Sequence, residues 1–374
     1  MSAPGARVAM VATRYLPYLG GVERHVHEVG VRLAARGVDV SVLTTDVSGA
    51  LPPVEVDDGL MIRRFAAWPA SRDYYLSPAL LHALWEGHYD LVHVQGIHTP
   101  MQPLALVVAQ RRTIPTVLTF HTGGHSNRLR TAIRRPQWAV QRPVLRRTDR
   151  LIAVCEFEAQ LFGAQLGDRA SSISVIRNGA EALPVSARPP RLTGDPLVLS
   201  IGRLERYKGH HRAIAAMPPL LVRRPGARLV IVGTGPFEDA LRQQIGHLGV
   251  QEQVTLTNFG PDERSELGAL VASSDAAVLL SDYEANPIAV MEALAFGVDV
   301  LAADTSGLAE LGRAGLVNTI DPDASADATA AAIVETAEAH RWASGPPKLP
   351  TWDGCTDQLL EVYESVLARS VAPT

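Results

Sequence analysis

The chain has 374 residues, enough for two domains of ordinary size, and its 47% hydrophobic content is ample for real cores. With 35 basic against 39 acidic residues the net charge is −4, which argues against a general nucleic-acid binder. Two cysteines, Cys155 and Cys355, stand far apart without CxxC spacing, so neither a disulfide framework nor a zinc site is implied and a reducing cytoplasm fits. Met1 to Arg7 runs straight into a strand-like segment without a signal-peptide pattern, and no apolar run reaches the roughly eighteen residues needed to span a bilayer. A soluble or peripheral protein is expected.

Short apolar runs alternate with longer helical patterns throughout, which predicts βαβ units and parallel sheets, an α/β fold. In the first half the predicted strands are Arg7 to Thr13, Val38 to Thr45, Asp90 to Gln95, Thr116 to His121, Arg150 to Val154 and Ile173 to Ile176. The first helix spans Val22 to Arg36 and ends at Gly37. Ser186 to Pro196, with three prolines and a glycine, reads as a linker and places a boundary near residue 192. Strands follow near Leu197 to Ile201, Arg228 to Val232, Val254 to Thr257, Ala276 to Leu280, Val298 to Ala302 and Leu316 to Thr319. The domains are therefore 1–192 and 193–355. Residues 356–374 form a last helix, with Leu359, Leu360, Val362, Tyr363 and Val366 at helical spacing after Trp352, expected to pack back toward the first domain.

Candidate site residues cluster at predicted strand ends, where ligands of open α/β sheets gather. Gly20 and Gly21 precede the first helix and would let a backbone approach a phosphate, or form only a turn; they lack the G-x-G-x-x-G spacing of a dinucleotide fingerprint. His121 ends its strand and could hold a sugar hydroxyl, or its backbone carbonyl could shield a cationic centre. His25, His27, His210 and His211 lack metal-face spacing and read as helix-surface or cap residues. Between Arg128 and Arg150 eight arginines stand against one acid, Asp149, with Ile133, Trp138, Val140, Val144 and Leu145 interleaved. That segment suits a membrane surface, a solvated helix face or an anionic acceptor.

Arg203 lies immediately beyond the first strand of the second half and Lys208 near the entry to the next helix. Two such cations would stabilise the charge that accumulates on a diphosphate leaving group. Gly233, in Gly233-Thr234-Gly235, fits a crowded nucleotide pocket or a tight turn, and so does Thr305-Ser306-Gly307. The most informative stretch is Ser281 to Gly297. Asn286 is a suitable N-cap, Pro287 suits the first helical position and Ile288 follows, so a helix is predicted from Pro287 to Phe296. Glu284 then sits in the ligand-facing turn, and Glu292 falls beside an inward stripe of Ile288, Met291 and Ala295. A carboxylate there would accept from vicinal sugar hydroxyls or pair with a neighbouring element.

These residues resemble the retaining glycosyltransferases of family four. The resemblance covers nearly the whole chain: Gly20-Gly21-Val22-Glu23, Ile176 to Gly179, the Gly202 to Gly209 loop, Val232 to Gly235, and the two glutamates. It implies the GT-B architecture, two facing Rossmann-like domains with an interdomain active-site cleft. It also implies that Arg203 and Lys208 bind the donor diphosphate, Glu292 the ribose hydroxyls and Glu284 the donor sugar, with His121 near that sugar. Configuration would be retained, the leaving phosphate taking the acceptor's proton, with no cofactor or metal, so that Asp321-Pro-Asp323 is a loop. The pattern is departed from at two places, three residues in all: Asp299 stands where the family has proline, leaving an extra charge near a strand entry, and Asn286-Pro287 replaces Phe-Gly.

The resulting expectation is a cytoplasmic enzyme moving a hexose or N-acetylhexosamine from a nucleoside-diphosphate sugar, UDP favoured, to a hydroxylated acceptor. The acceptor classes left open are an aminocyclitol, a lipid-linked sugar and a natural-product aglycone, met by Trp68 to Trp85 and the loop after His121. Nucleic acid is not an expected partner. Two rivals are a sugar-nucleotide epimerase, which would release isomers without an acceptor, and a catalytically idle membrane-surface binder of sugar nucleotides.

Overall fold

The computed structural model describes residues 3–18, 20–69, 76–121, 128–167, 172–187 and 192–371. In β1 (Arg7–Ala12) every residue after the first is buried, as a central parallel strand covered on both faces requires. It is followed by α1 (Gly21–Ala35), β2 (Asp39–Asp46), β3 (Val54–Asp57), β4 (Leu60–Ala66), α2 (Pro78–Glu86), β5 (Leu91–Gln95) and α3 (Met101–Arg111). Then come β6 (Thr116–Thr119), α4 (Arg128–Arg147), β7 (Arg150–Ala153), α5 (Glu156–Leu166) and β8 (Ile173–Val175). The strand order is β3-β4-β2-β1-β5-β6-β7-β8, parallel except where β3 meets β4. Helix α1 packs its Val26, Val29 and Leu33 stripe inward, each such side chain contributing about 1.5–3 kcal/mol.

The second sheet repeats the design with β9 (Leu197–Ile201), β10 (Arg228–Val232), β11 (Val254–Thr257), β12 (Ala276–Leu279), β13 (Asp299–Ala303) and β14 (Asn318–Ile320). All its pairings are parallel, and the order is β11-β10-β9-β12-β13-β14. Order reverses between β9 and β12, and a doubly wound sheet opens its ligand crevice beyond the carboxyl ends at such a point. Its helices are α6 (His210–Ala215), α7 (Met217–Arg223), α8 (Glu238–Leu248), α9 (Arg264–Ala272), α10 (Ile288–Ala295), α11 (Ser306–Arg313) and α12 (Ala326–Ala339). Two apolar clusters, one containing Val198, Ile231 and Leu301 and one containing Leu199, Val230 and Val300, place alternate residues of the strands in separate cores.

Among the described residues one compact unit takes the chain to His121, then Arg128–Gly179, and again from Pro350; the other is Ala180–Leu349. The changeover at 179/180 lies before the boundary read at 192. The intervening segment is tied to the second unit, because Leu183 is buried in its core and Ser186 N–H donates to Ser265 O (2.9 Å). Residues 188–191 of the linker lie outside the described residues. The last helix, α13 (Trp352–Val371), starts earlier than 356 and belongs to the first unit, so the second domain ends before 355. Trp352, Leu359, Tyr363, Val366 and Leu367 are buried, and Arg36, the residue that caps the end of α1, reaches Asp353 (2.8 Å) and Asp357 (2.9 Å).

The β3–β4 hairpin and α2 have no counterpart in the sequence reading. Asp58 and Gly59 both take positive φ (48° and 81°), the pair of left-handed residues that closes a two-residue hairpin, and Asp57 pairs with Leu60. Ser77 caps α2, accepting from Leu80 N–H (3.3 Å).

Candidate active site

Two loops meet at the carboxyl ends of β9 and β12. Beyond β9 the chain runs through Gly202 and Arg203 into a 3-10 turn, Arg206–Lys208, and then into α6. Gly209 is at φ +76°, and a Cβ there would lie 1.8 Å from Leu280 O, so only glycine lets this loop press against the end of β12. Asp282 N–H donates to Tyr207 O (2.7 Å), fixing one loop to the other. Across that join Lys208 Nζ lies 2.6 Å from Glu284 Oε1, with the two side chains only 17% and 10% exposed. Ser281 Oγ donates to the same carboxylate oxygen (2.9 Å). Burial alone would lower the Lys208 pKa, but the charges of Glu284 and Tyr207 and the hydrogen bond to Glu284 outweigh it and hold the ammonium above its ordinary value.

The turn bearing Glu284 is braced from behind. Ser306 Oγ accepts from Glu284 N–H (2.9 Å), Gly307 N–H donates to Glu284 O (2.9 Å), and Thr305 Oγ1 donates to Ser281 O (3.0 Å). Thr305-Ser306-Gly307 is therefore a scaffold for Glu284. Gly233 likewise gives room to the cation loop: its added Cβ would fall 2.0 Å from Gly202 O. Arg203 is 46% exposed and pairs with Glu205 (3.1 Å); its charge opposes that of Lys208, so the two cations feel one another. His210 lies behind this loop, buried rather than on a helix surface. Its Nδ1 is 2.9 Å from Ser200 Oγ and its Nε2 3.3 Å from Arg203 O, and burial lowers its pKa to about 4. His211 is half-buried beside Phe237.

Helix α10 begins one residue later than read, at Ile288. Pro287 is its cap, in extended conformation (φ −73°, ψ 117°), because its carbonyl accepts from Val290 (3.1 Å) and Met291 (3.3 Å). Asn286 is buried upstream of that cap. The core-facing residues are Val290, Met291, Ala293 and Leu294, whereas Ile288, Glu292 and Ala295 share a half-buried face. Glu292 is thus beside the core stripe and not part of it. Its side chain is 12% exposed and meets Arg264 at 3.2 Å, from the start of α9, an ion pair with a neighbouring element. The structure brings Lys208 and Glu284 together, with Arg203 in electrostatic reach, and gives Glu292 a separate partner.

In the first unit Gly20 is extended (φ −171°) and caps α1, and a Cβ on exposed Gly21 would meet nothing within 4 Å. Strand β6 stops at Thr119, because His121 takes a left-handed φ of +46° and leaves the extended run. His121 is buried; its Nε2 is 2.7 Å from Gln95 Oε1 and its carbonyl accepts from His98 Nε2 (2.8 Å). The His25 ring stands 4.4 Å away, edge-on, with Nδ1 2.9 Å from Asn178 Oδ1. His25 is buried on the α1 face of Val29 and Leu33, not at the helix surface, and half-buried His27 meets Tyr15 Oη at 3.0 Å. Desolvation holds these imidazoles neutral: His25 titrates at about 4 despite Asn178, His93 at about 3, and His121 well below its ordinary value, the neighbouring histidines adding to the last shift.

Residues 19–182 match the family model described as Glycosyltransferase Family 4, and residues 186–343 match the model described as Glycosyl transferases group 1. A glycogen synthase of Mycobacterium tuberculosis is 35% identical over 338 residues, covering 81% of this chain and 79% of the relative. The chain belongs to glycosyltransferase family 4. A D-inositol 3-phosphate glycosyltransferase of Nocardiopsis dassonvillei is 30% identical over 396 residues, covering 95% and 91% of the two chains. The solved structure of Anabaena HepE in complex with UDP-glucose overlays with a TM-score of 0.69 at 19% identity, covering 98% of this chain and 97% of that one, a likeness of fold. This glycosyltransferase therefore transfers sugar, and its two parallel sheets are Rossmann-like domains of the GT-B class.

The family departure at Asp299 is neutralised. Its carboxylate is buried and accepts from Arg341 Nε (2.7 Å) and Arg341 N–H (3.0 Å), so the extra charge at the strand entry has a dedicated partner. At Asp321, Oδ1 accepts from Asp323 N–H (2.7 Å), closing a turn, and no group of metal-ligating side chains occurs among the described residues. In α4 the glycosyltransferase buries Gln141 and Leu145 while Val140 and Arg142 face outward; side chains before Trp138, the loop after His121 and residues 70–75 lie outside the described residues. No helix among the described residues is long and apolar enough to cross a membrane. Sequence reasoning missed Ser281, Arg264, His93 and Gln95. The last two did leave a signal, polar residues in the otherwise apolar, fully buried strand Leu-Val-His-Val-Gln.

Proposed function

We propose that this glycosyltransferase moves a hexose or N-acetylhexosamine from a UDP-sugar to a hydroxylated acceptor with retention of configuration and without a metal. The observation that carries the reading is the buried Lys208–Glu284 pair at 2.6 Å, beyond the strand ends where sheet order reverses. An ammonium whose pKa Glu284 holds above its ordinary value opposes the negative charge that grows on the leaving diphosphate, assisted by the more exposed Arg203. Glu284 accepts from hydroxyls of the donor sugar and Glu292 from those of the ribose, in exchange with Arg264. His121, a neutral imidazole, holds a sugar hydroxyl. The bond from the anomeric carbon to the phosphate oxygen breaks, the acceptor oxygen bonds to that carbon on the same face, and the acceptor's proton passes to the departing phosphate.

UDP as the donor nucleotide is supported by the UDP-glucose bound in the HepE structure, and a hydroxylated acceptor such as a cyclitol by the relative named a D-inositol 3-phosphate glycosyltransferase. Titration calorimetry with UDP, GDP and ADP tests the donor, with UDP expected to bind tightest; preference for GDP or ADP would overturn that assignment. An inverted anomeric configuration in the product, or loss of turnover in the presence of a chelator, would overturn the rest.

A further inference from the structure

A hydrogen-bonded chain links the last helix of the protein to His121. Tyr363 of α13 is fully buried, and its Oη lies 2.7 Å from His93 Nδ1. His93 Nε2 is 2.8 Å from Thr119 Oγ1, and Gln95 Nε2 is 3.3 Å from His93 Nδ1. The other end of the same carboxamide, Gln95 Oε1, is 2.7 Å from His121 Nε2. Gln95 and His93 are themselves completely buried, and Gln102 holds the Gln95 carbonyl (3.0 Å).

With the Gln95 carboxamide oxygen toward His121 and its nitrogen toward His93, the donor and acceptor roles along this chain follow. An amide nitrogen donates and an amide oxygen accepts. His93 Nδ1 therefore carries no proton, and its single lone pair is shared between the Tyr363 O–H at 2.7 Å and the longer contact from Gln95 N–H at 3.3 Å; the His93 proton sits on Nε2 and is given to Thr119. At the far end His121 Nε2–H donates to Gln95, which leaves His121 Nδ1 as the nitrogen with a lone pair. The alternative pattern turns the carboxamide over and moves the His93 proton to Nδ1. Tyr363 would then accept and its own proton would lack the His93 acceptor; an unsatisfied buried hydroxyl costs about 1–3 kcal/mol.

We propose that Tyr363 is a positioning residue: by donating to His93 Nδ1 it fixes the Gln95 carboxamide and thereby holds His121 in the Nε2–H tautomer with Nδ1 free to accept a hydrogen bond. This rests on the reading of His121 as a sugar contact, since a neutral imidazole can accept from a hydroxyl only through the nitrogen that lacks the proton. It also gives α13 a role in the site although Tyr363 is 270 residues from His93 in sequence.

The test uses the full chain labelled with nitrogen-15 in histidine, so that ring nitrogen shifts distinguish protonated from unprotonated nitrogens without any donor present. In Tyr363→Phe the His121 signals are expected to move from a single Nε2–H tautomer to a mixture. Turnover of the UDP-sugar is expected to fall about tenfold, with KM for the donor little changed. Leu359→Ala, one turn earlier on the same buried face, loosens α13 without touching the hydrogen bonds; it should lower thermal stability and leave the His121 tautomer alone. An unchanged His121 pattern in Tyr363→Phe, or an equal change in Leu359→Ala, overturns the proposal. A changed tautomer with undiminished turnover would uphold the positioning by Tyr363 and remove His121 from the reaction, so the two readings fail separately.

Discussion

Replacing Lys208 by methionine strands the Glu284 carboxylate in a place where its side chain is only 10% exposed and Ser281 Oγ still donates to it. Removing one partner of a fully buried pair costs about 3–5 kcal/mol, and the residual solvent access here lowers the expectation to about 1–3 kcal/mol. In a domain the size of the second unit that lowers its melting midpoint by about 2–12 °C, readable by differential scanning calorimetry. Transition-state stabilisation of the diphosphate is lost as well, so kcat/KM should drop about 10²–10³-fold. Glu284→Gln combined with Lys208→Met removes the stranded charge. The double variant should regain most of the lost stability and none of the lost turnover. If Lys208→Met melts like the parent, the pair is not coupled as drawn; if the double variant recovers activity, Lys208 does not act on the leaving group.

Gly209→Ala must displace the cation loop from Leu280 and should abolish UDP binding in calorimetry, whereas Gly21→Ala meets no atom of the fold, so any affinity lost there reports ligand contact. Asp299→Ala leaves the Arg341 guanidinium and amide without their carboxylate and should lower thermal stability by about 1–3 kcal/mol with kcat unchanged; a change in kcat would tie this departure to the chemistry. The depressed histidines set a pH dependence. His25, His93 and His210 bind protons in the unfolded chain near pH 6.5 but in the fold only at about 4, 3 and 4, so between those values the unfolded state holds more protons. Stability is therefore full above about pH 6.5 and falls as pH drops toward about 4, by about 1.4 kcal/mol per pH unit for each histidine. His93→Gln should flatten that slope by one proton in pH-dependent unfolding.

The parallel sheets were legible because their strands are continuous apolar runs: β9, β10 and β11 lie where the runs Leu197 to Ile201, Arg228 to Val232 and Val254 to Thr257 predict them. The β3–β4 hairpin was hidden because Val54, Val56 and Met61 are exposed, leaving too short an apolar pattern, although Asp58-Gly59 marked the turn. The placement of Glu284 and Lys208 beyond strand ends was legible because it is a local feature. The partner of Glu292 was not, because Arg264 comes from another helix and no spacing rule pairs residues 28 apart. The histidine network escaped for the same reason. A period-two or 3.6-residue pattern reports which face a residue occupies, whereas the contacts of His25 with Asn178 and of His93 with Tyr363 depend on how distant elements close.

Because the second unit is inserted between Gly179 and Pro350, the order of synthesis differs from the order of assembly. The ribosome releases all of the inserted unit before it makes α13, so the first sheet waits for the helix that supplies Trp352, Tyr363 and the anchors for Arg36. A nascent chain halted before residue 350 would carry a finished second unit and an incomplete first one, with His93 still lacking its hydroxyl donor.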